Sequence, residues 1–306
     1  MTEIGIVVVT FGSEAEIGPC LDAALPTGAE IVVVDNGSTD GYVAEAARRG
    51  VRVIANPTNR GFAAAVNQGI SLLKTPYVLL LNPDAEIQDG LGPLREACEL
   101  PNAAGAGGLL LGSAGRPQAG FMVRSLPTPA ALILEVCLLN RLWPGNPVNR
   151  RYRELSLDCS RRTVVEQPAG AFFMIRREVW VELGGFDESF FPLWFEDVDF
   201  CRRAADRGHV LYYEPRAVAR HRGGHSIARM GVEMRRICWY SSLIRYSAKH
   251  FRTVSFRGVC LAVVVGAFLR LVLESLSDSG GGAAFRKTVR FAGRCLVLGW
   301  RDPAVI

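Results

Sequence analysis

Between Phe190 and Arg203 the chain sets three carboxylates, Glu196, Asp197 and Asp199, among the large apolar side chains of Phe190, Phe191, Leu193, Trp194, Phe195 and Phe200. Glu196 and Asp197 fall where a helix would begin, and the positive end of the helix dipole favours the ionised carboxylate that a general base needs. Asp199 lies four residues before Arg203, so those two can pair on one helical face. A helix cap followed by a surface ion pair would use the same residues. What favours chemistry is a second acid far upstream: Asp84, in Leu79-Leu80-Leu81-Asn82-Pro83-Asp84-Ala85, closes an apolar run.

Other polar residues stand at the ends of apolar runs in the same way. Asp35 follows Ile31-Val34 and leads into Asn36-Gly37-Ser38-Thr39-Asp40-Gly41, where Gly37 can take positive φ and Ser38 or Asp40 can cap the next helix. A plain strand-turn-helix joint explains the Asn-Gly pair; an acid at the strand tip can also accept from a base imide or a ribose hydroxyl. Asn56-Pro57-Thr58-Asn59-Arg60-Gly61-Phe62 puts the Arg60 cation just before a helix, where free backbone amides and a guanidinium suit a pyrophosphate. Asn67, one turn later, either turns its amide into the same cleft or sits on the helix surface. The carboxylate of Asp84 is a hard ligand suited to Mg²⁺ or Mn²⁺. His221, ahead of His225 in His221-Arg222-Gly223-Gly224-His225-Ser226, can offer a ring nitrogen to a metal or a phosphate. Together these residues describe a nucleoside diphosphate site with a base opposite it.

The elements that must position them follow from the pattern. Apolar runs at Ile4-Val9, Ile31-Val34, Val51-Ile54, Tyr77-Leu81, Leu109-Leu111, Ala171-Ile175 and Val210-Tyr213 read as strands covered on both faces. Helical stretches fall between them at Glu14-Leu25, Tyr42-Arg49, Ala63-Lys74, Leu91-Glu99, Glu178-Leu183 and Asp197-Arg207, closed by Gly50, Gly184 and Gly208. This alternation predicts an α/β fold with a mostly parallel, doubly wound sheet, whose ligands bind at the carboxyl ends of the strands.

Residues 112–169 interrupt the rhythm with six prolines and a candidate helix at Ala130-Leu142, an irregular insertion of the kind that serves function. The formal net charge of +5 conceals a division: residues 1–226 carry a net −4 and residues 227–306 a net +9. The expected organisation is therefore a catalytic domain over 1–226 and a basic helical region over 227–306, the latter split in two at Gly280-Gly281-Gly282. Between Arg257 and Arg270 only twelve residues are continuously apolar, which predicts an amphipathic helix on an anionic membrane surface rather than a span of about 20 residues. Self-association through these helices is the competing use. Nucleic acid is not an expected partner, because the basic residues interleave with aliphatic side chains rather than stacking platforms. Eight scattered cysteines without C-x-x-C spacing and a start lacking a basic n-region predict reduced thiols in the cytoplasm.

In this order the motifs resemble the family 2 inverting glycosyltransferases with the GT-A fold. The likeness covers residues 4–226 and rests on Thr10-Phe11, Asp35 to Gly41, Asn59-Arg60-Gly61-Phe62-Ala63, Asn82-Pro83-Asp84-Ala85, Gly170-Ala171-Phe172-Phe173, Gly184-Gly185-Phe186-Asp187-Glu188, Glu196-Asp197-Val198-Asp199 and His221. It implies that Thr10, Phe11 and Asp35 hold base and ribose, that Arg60 and Gly61 line the diphosphate, and that Asp84 and His221 bind the divalent cation. It implies Asp197 as catalytic base, with Trp194 and Glu196 facing the acceptor sugar. Asn82 stands where the family's D-x-D element has its first aspartate, leaving one fewer anionic ligand. The Asn-Pro-Asp-Ala form, with Trp194 to Asp199 and Tyr246-x-x-Lys249-His250, is similar to the bacterial rhamnosyltransferase branch, which implies dTDP-L-rhamnose as donor and a lipid-linked saccharide as acceptor in surface polysaccharide synthesis. Another UDP-, GDP- or dTDP-sugar is the alternative, and a non-catalytic nucleotide-sugar-binding protein the remoter one. A nucleotidyltransferase would open with a glycine-rich basic loop after its first strand, where this chain has Thr10-Phe11-Gly12-Ser13-Glu14.

Overall fold

The computed structural model describes residues 2–12, 14–38, 42–223, 230–277 and 282–300. The first four apolar runs form β1 (Ile4–Thr10), β2 (Glu30–Asp35), β3 (Arg52–Ala55) and β4 (Tyr77–Leu81), joined through α1 (Glu14–Ala24), α2 (Tyr42–Arg48) and α3 (Phe62–Leu72). They pair in parallel in the order β3-β2-β1-β4. Ile6, Val7, Val8, Val32, Val33, Leu79 and Leu80 are buried in succession, because helices cover both faces of the sheet.

The other half is mixed. β5 (Ala85–Ile87), β6 (Ala103–Leu111), β10 (Phe172–Arg176) and β11 (Val210–His221) extend the order to β4-β10-β6-β11-β5, with β8 (Thr163–Val165) also on β11. Only β6 and β11 pair in parallel there; β10 runs antiparallel to β4 and β6, and β5 and β8 antiparallel to β11. A short ribbon of β7 (Val123–Arg124) and β9 (Gln167–Pro168) stands apart. Helices α4 (Gly92–Cys98), α8 (Arg177–Leu183) and α9 (Glu196–Asp206) complete this part.

Two strands are longer than the sequence pattern suggests. β6 begins at Ala103 in a run of alanine and glycine with low strand propensity. Glycine is required there: a Cβ on Gly105 would lie 2.4 Å from the Met174 carbonyl oxygen, and one on Gly108 2.3 Å from the Phe172 ring. β11 continues past Tyr213 through Pro215, which sits where the register shifts between Glu214 and Val218 and so removes no ladder bond. That extension delivers His221 to the strand end.

The chain divides into two compact units, one of residues 1–126, 153–192 and 196–229, the other of 127–152, 193–195 and 230–306. The C-terminal part of the second unit begins at residue 230, and residues 127–152, inside the expected 112–169 insertion, belong to the same unit. That unit contains α5 (Pro129–Val136), α6 (Leu139–Leu142), α7 (Pro147–Tyr152), α10 (Val232–His250), α11 (Thr253–Ser277) and α12 (Gly282–Leu298). A break at Phe251-Arg252 separates α10 from α11, so three helices stand where the glycine run alone suggested two; Gly280 and Gly281 lie outside the described residues.

α11 also differs from expectation. It is 25 residues long and passes through both Arg257 and Arg270, and its Thr253–Glu274 stretch is long and apolar enough to cross a membrane by length and composition. Phe256, Val259, Cys260, Val263 and Ala267 are buried on one side, while Leu261, Val265, Phe268, Leu269, Val272 and Leu273 are exposed. Gly266 admits the Val136 carbonyl so closely that a Cβ would lie 2.1 Å from its oxygen, whereas a Cβ on Gly258 meets nothing within 4 Å. Gly266→Ala is therefore expected to cost about 1–3 kcal/mol through overpacking, while Gly258→Ala stabilises the helix by up to about 1 kcal/mol; thermal denaturation of the two variants measures both.

Candidate active site

The ends of six strands meet at one edge of the sheet. Thr10 pairs with Asp35 across β1 and β2, Leu81 with Phe172 across β4 and β10, and Ala85 with His221 across β5 and β11. Beyond the last pair of β4 and β10, Asn82 donates its backbone N–H to Ala171 O at 3.0 Å. This is the carboxyl edge of the parallel strands, where α/β sheets take ligands.

At the β2 tip Asp35 is buried, and both its oxygens accept from Ser38: Oδ1 from the hydroxyl at 2.6 Å and Oδ2 from the backbone at 3.0 Å. The Ser38 hydroxyl oxygen in turn accepts from Gly12 N at 2.7 Å. Gly37 holds φ +85° with Thr58 backbone so near that a Cβ would lie 2.9 Å from it. Asn36 accepts from Arg60 N at 2.9 Å and donates to Asn59, whose oxygen also takes Gly61 N. These bonds knit the loops after β1, β2 and β3 into one frame. The frame leaves the Arg60 side chain and Phe11 exposed, and Thr10 buried with its hydroxyl unpartnered. Thr39, Asp40, Gly41, His225 and Ser226 lie outside the described residues.

Asn67 is not available to a diphosphate. Its amide donates to Phe186 O and Glu188, each at 2.9 Å, and its oxygen accepts from Phe186 N at 2.9 Å. With donors and acceptor spent, it fastens α3 to the 185–188 turn, so the donor-binding role expected for it is corrected to a structural one.

Asp84 and His221 do converge. Asp84 Oδ1 lies 3.3 Å from His221 Nε2, Asn82 Nδ2 lies 3.4 Å from the same nitrogen, and Asp84 Oδ2 accepts from Gly223 N at 2.9 Å. Gln118 Nε2 donates to the His221 carbonyl at 2.9 Å, which orients its amide so that Oε1 faces His221 Nδ1 at 2.9 Å. With Nδ1 turned to Gln118, Nε2 is the ring nitrogen that faces Asp84 and Asn82. Phe121 stacks on the ring at 5.2 Å between centroids and holds its plane. Burial alone would raise the Asp84 carboxyl, but His221 and the Gly223 N–H outweigh it and hold the pKa below the ordinary value. Among the described residues no group of three or more His, Cys, Asp or Glu comes together as a metal site.

Asp197, in the first turn of α9, is tied to the same edge. Its Oδ2 accepts from Gly170 N at 3.3 Å and Gln167 Nε2 at 3.4 Å, and Oδ1 from Val198 N at 2.8 Å. Gly170 precedes the residue bonded to Asn82, so one short segment joins the Asp197 carboxylate to the Asn82–Asp84 loop. Burial pushes the Asp197 pKa up, against hydrogen bonds from Gly170 and Val198 and the charge of Arg124. Glu196 is buried with Oε2 unpartnered; burial first, then the Asp197 charge, push its pKa well up. Trp194 belongs to the helical unit, at φ +76°. The expected Asp199–Arg203 pair forms at 2.7 Å, and the same guanidinium donates to Leu183 O and Gly185 O, pinning α9 to the turn after α8.

Sequence reading missed Gln118, Phe121, Gln167 and Arg124. Gln118 and Phe121 come from an irregular stretch and Arg124 and Gln167 from the two-residue strands β7 and β9, too short to show a period, and no local signal ties Gln118 to a histidine 103 residues away.

The chain matches the family model described as glycosyl transferase family 2 over residues 5–183. It is 31% identical over 253 residues to the N-acetylglucosaminyl-diphospho-decaprenol L-rhamnosyltransferase of Mycobacterium tuberculosis, covering 75% of this chain and 79% of that protein. It is 27% identical over 209 residues to the low-salt glycan biosynthesis hexosyltransferase Agl10 of Haloferax volcanii, covering 67% and 62%. Among solved structures, the mannosyltransferase PcManGT from Pyrobaculum calidifontis in complex with GDP-Man and Mn2+ aligns with a TM-score of 0.52 at 16% identity, over 96% of this chain and 80% of that one. GalNAc-T7 with UDP, GalNAc and Mn2+ aligns with a TM-score of 0.53 at 16% identity, over 73% and 44%. These likenesses establish the GT-A fold.

The Glu196 environment makes a stability prediction. A carboxyl whose pKa is raised in the folded state contributes stability at low pH that is lost as pH rises through that value. Glu196→Gln cannot ionise, so its melting temperature relative to wild type should climb between pH 5 and pH 8. Thermal denaturation across that range tests it, and a difference independent of pH would contradict the assignment.

Proposed function

Since the chain belongs to glycosyl transferase family 2, we propose that it transfers L-rhamnose with inversion from dTDP-L-rhamnose to a hydroxyl of a saccharide carried on a polyprenyl diphosphate. The observation that carries this reading is the attachment of the Asp197 carboxylate, through Gly170 and Ala171, to the loop bearing Asn82 and Asp84. A base and the ligands of a leaving group then share one edge of the sheet. The rhamnosyltransferase from Mycobacterium tuberculosis supports the choice of sugar and of lipid-linked acceptor; the similarity to an archaeal hexosyltransferase keeps other hexosyl donors as the second reading.

In this proposal Thr10, Phe11 and Asp35 border the nucleoside, while Arg60, Gly61 and Asn82 border the diphosphate. Asp197 takes the proton from the acceptor hydroxyl, whose oxygen attacks the anomeric carbon from the face opposite the nucleotide. The carboxylate oxygen of Asp84 and the ring nitrogen Nε2 of His221 would suit a divalent cation, Mg²⁺ or Mn²⁺, with further ligands coming from the diphosphate. Such an ion, when bound, supplies positive charge to the departing nucleoside diphosphate. Arg60 adds a fixed cation at the same place.

The same proposal places the enzyme peripherally at the inner face of the membrane. The exposed stripe Leu261, Val265, Phe268 and Val272 recurs at helical spacing, and Arg257 and Arg270 within α11 together with its buried opposite face favour lying on the surface over crossing it. Basic residues near an anionic leaflet contribute roughly 1 kcal/mol each.

Asp197→Asn should lower turnover by about 10²–10⁴-fold while leaving binding of dTDP intact, as read by thermal shift. Because the base must be ionised and burial raises its pKa, the wild-type rate should fall on the acid side with a midpoint above the ordinary carboxylate range; unreduced transfer by Asp197→Asn would refute the role. Replacing Leu261, Val265 and Phe268 together by Glu should reduce co-sedimentation with anionic vesicles about tenfold or more without changing donor hydrolysis.

A further inference from the structure

The helical unit contains a cavity of about 500 Å³ that plays no part in the chemistry above. Four arginines line it, Arg141, Arg235, Arg236 and Arg270, against the single acid Glu274. Two of the four are fixed. Arg236 pairs with Glu274 at 2.7 Å and lies over the Phe285 ring at 4.6 Å, and Arg270 donates to the carbonyls of Val136 and Gly266. Arg141 and Arg235 form no ion pair among the described residues. An anion entering the cavity would thus meet two committed guanidinium groups and two still able to turn toward it.

The remaining walls are apolar and aromatic, with Trp194, Trp239 and Leu273 among them. Leu273 also belongs to the exposed face of α11 that includes Phe268, Leu269 and Val272, so the apolar stripe begins at the rim of the cavity. Trp194 is held in place: it and Phe195 adopt φ of +76° and +71°, the Phe195 ring packs on Tyr246 at 5.4 Å, and Leu193 O accepts from Ser242 Oγ at 3.1 Å. A backbone kept in the left-handed region by its neighbours indicates a side chain placed for use.

We infer that this cavity binds the diphosphate of a polyprenyl diphosphate, with the arginines on the phosphates and the first isoprene units leaving over Leu273 onto the α11 stripe. Surplus guanidinium groups suit a doubly phosphorylated headgroup, which planar donors can grip in pairs. Aromatic and leucine walls suit isoprene, whereas a nucleotide's ribose and base would find few polar partners there. The inference rests on the proposed lipid-linked acceptor and assigns it a headgroup site separate from the donor cleft.

The test uses the purified 306-residue chain with EDTA and saturating dTDP, titrated with farnesyl diphosphate and followed by calorimetry. Binding is expected to persist with dTDP present and to weaken about tenfold or more in Arg235→Ala and in Arg141→Ala, each removing a charge-assisted contact, while farnesol does not bind. Inorganic pyrophosphate should bind more weakly than farnesyl diphosphate, and short-chain phosphatidylglycerol should not compete. Equal binding of pyrophosphate, or full competition by phosphatidylglycerol, would reduce the cavity to a general anion or lipid site and overturn the inference. So would unchanged affinity in both arginine variants, displacement by dTDP, or absence of binding. Because dTDP binding is measured separately by thermal shift, loss of the cavity proposal with dTDP binding retained leaves the donor cleft standing, and loss of both removes the transferase reading as well.

Discussion

The antiparallel seam between β4 and β10 is what the candidate site depends on. A sheet built only of parallel strands would bring carboxyl ends to the ligand edge, and the segment before β10 would lie at the opposite edge. Because β10 runs the other way, its amino end arrives beside Leu81, and the backbone bond from Asn82 to Ala171 fixes the loop before it. Gly170 then has an N–H free for Asp197. The same pairing demands the glycines of β6, since the phenyl ring of Phe172 and the Met174 carbonyl occupy the volume that side chains at 108 and 105 would need. One reversal of strand direction thus accounts for an unusual strand composition and for the placement of the proposed base.

Holding a carboxylate at that point carries an electrostatic penalty. Asp197 and Glu196 are adjacent acids in a buried turn, and both are pushed toward their neutral forms. The backbone donors of Gly170 and Val198 favour ionised Asp197 in particular, whereas Glu196 Oε2 has no partner. Two neighbouring carboxyls are thereby pushed apart in function, one kept as a candidate base and one withdrawn into the interior. The anchoring comes from Arg203, which ties Asp199 and two carbonyls of the preceding turn with one guanidinium. Removal of either partner of such a buried pair characteristically costs about 3–5 kcal/mol.

What could be read from the sequence divides along physical lines. Residues placed at the tips of periodic apolar runs or at a helix start, Asp35, Asp84 and Asp197, are legible because strand period and helix start fix their position along the chain, whereas the pairing of Asp84 with His221 is implied by the family resemblance alone. The strength of that reading ended where periodicity did. β11 was cut short at Tyr213 because Pro215 reads as a terminator unless a bulge absorbs it. Gln118 and Phe121, which hold the orientation and plane of the His221 ring, come from a proline-rich stretch where spacing carries no information. Asn67 was ambiguous from helical position alone, since only the fold brings Phe186 within reach of its amide.

The charge division gains meaning from the two units. The sheet unit is acidic, and its carboxylates at positions 84 and 197 cannot serve an anionic donor unless other charges compensate them; the divalent cation proposed on Asp84 and His221 and the exposed Arg60 meet that need. The helical unit is basic, and four of its arginines line a cavity whose rim includes Leu273 of the exposed apolar face of α11. Positive charge next to exposed aliphatic surface is the pattern that an amphiphile with an anionic head complements on both counts. A water-soluble nucleotide sugar and a lipid-borne acceptor present opposite demands on solvation. Separate electrostatic environments on one chain allow each to be met without weakening the other.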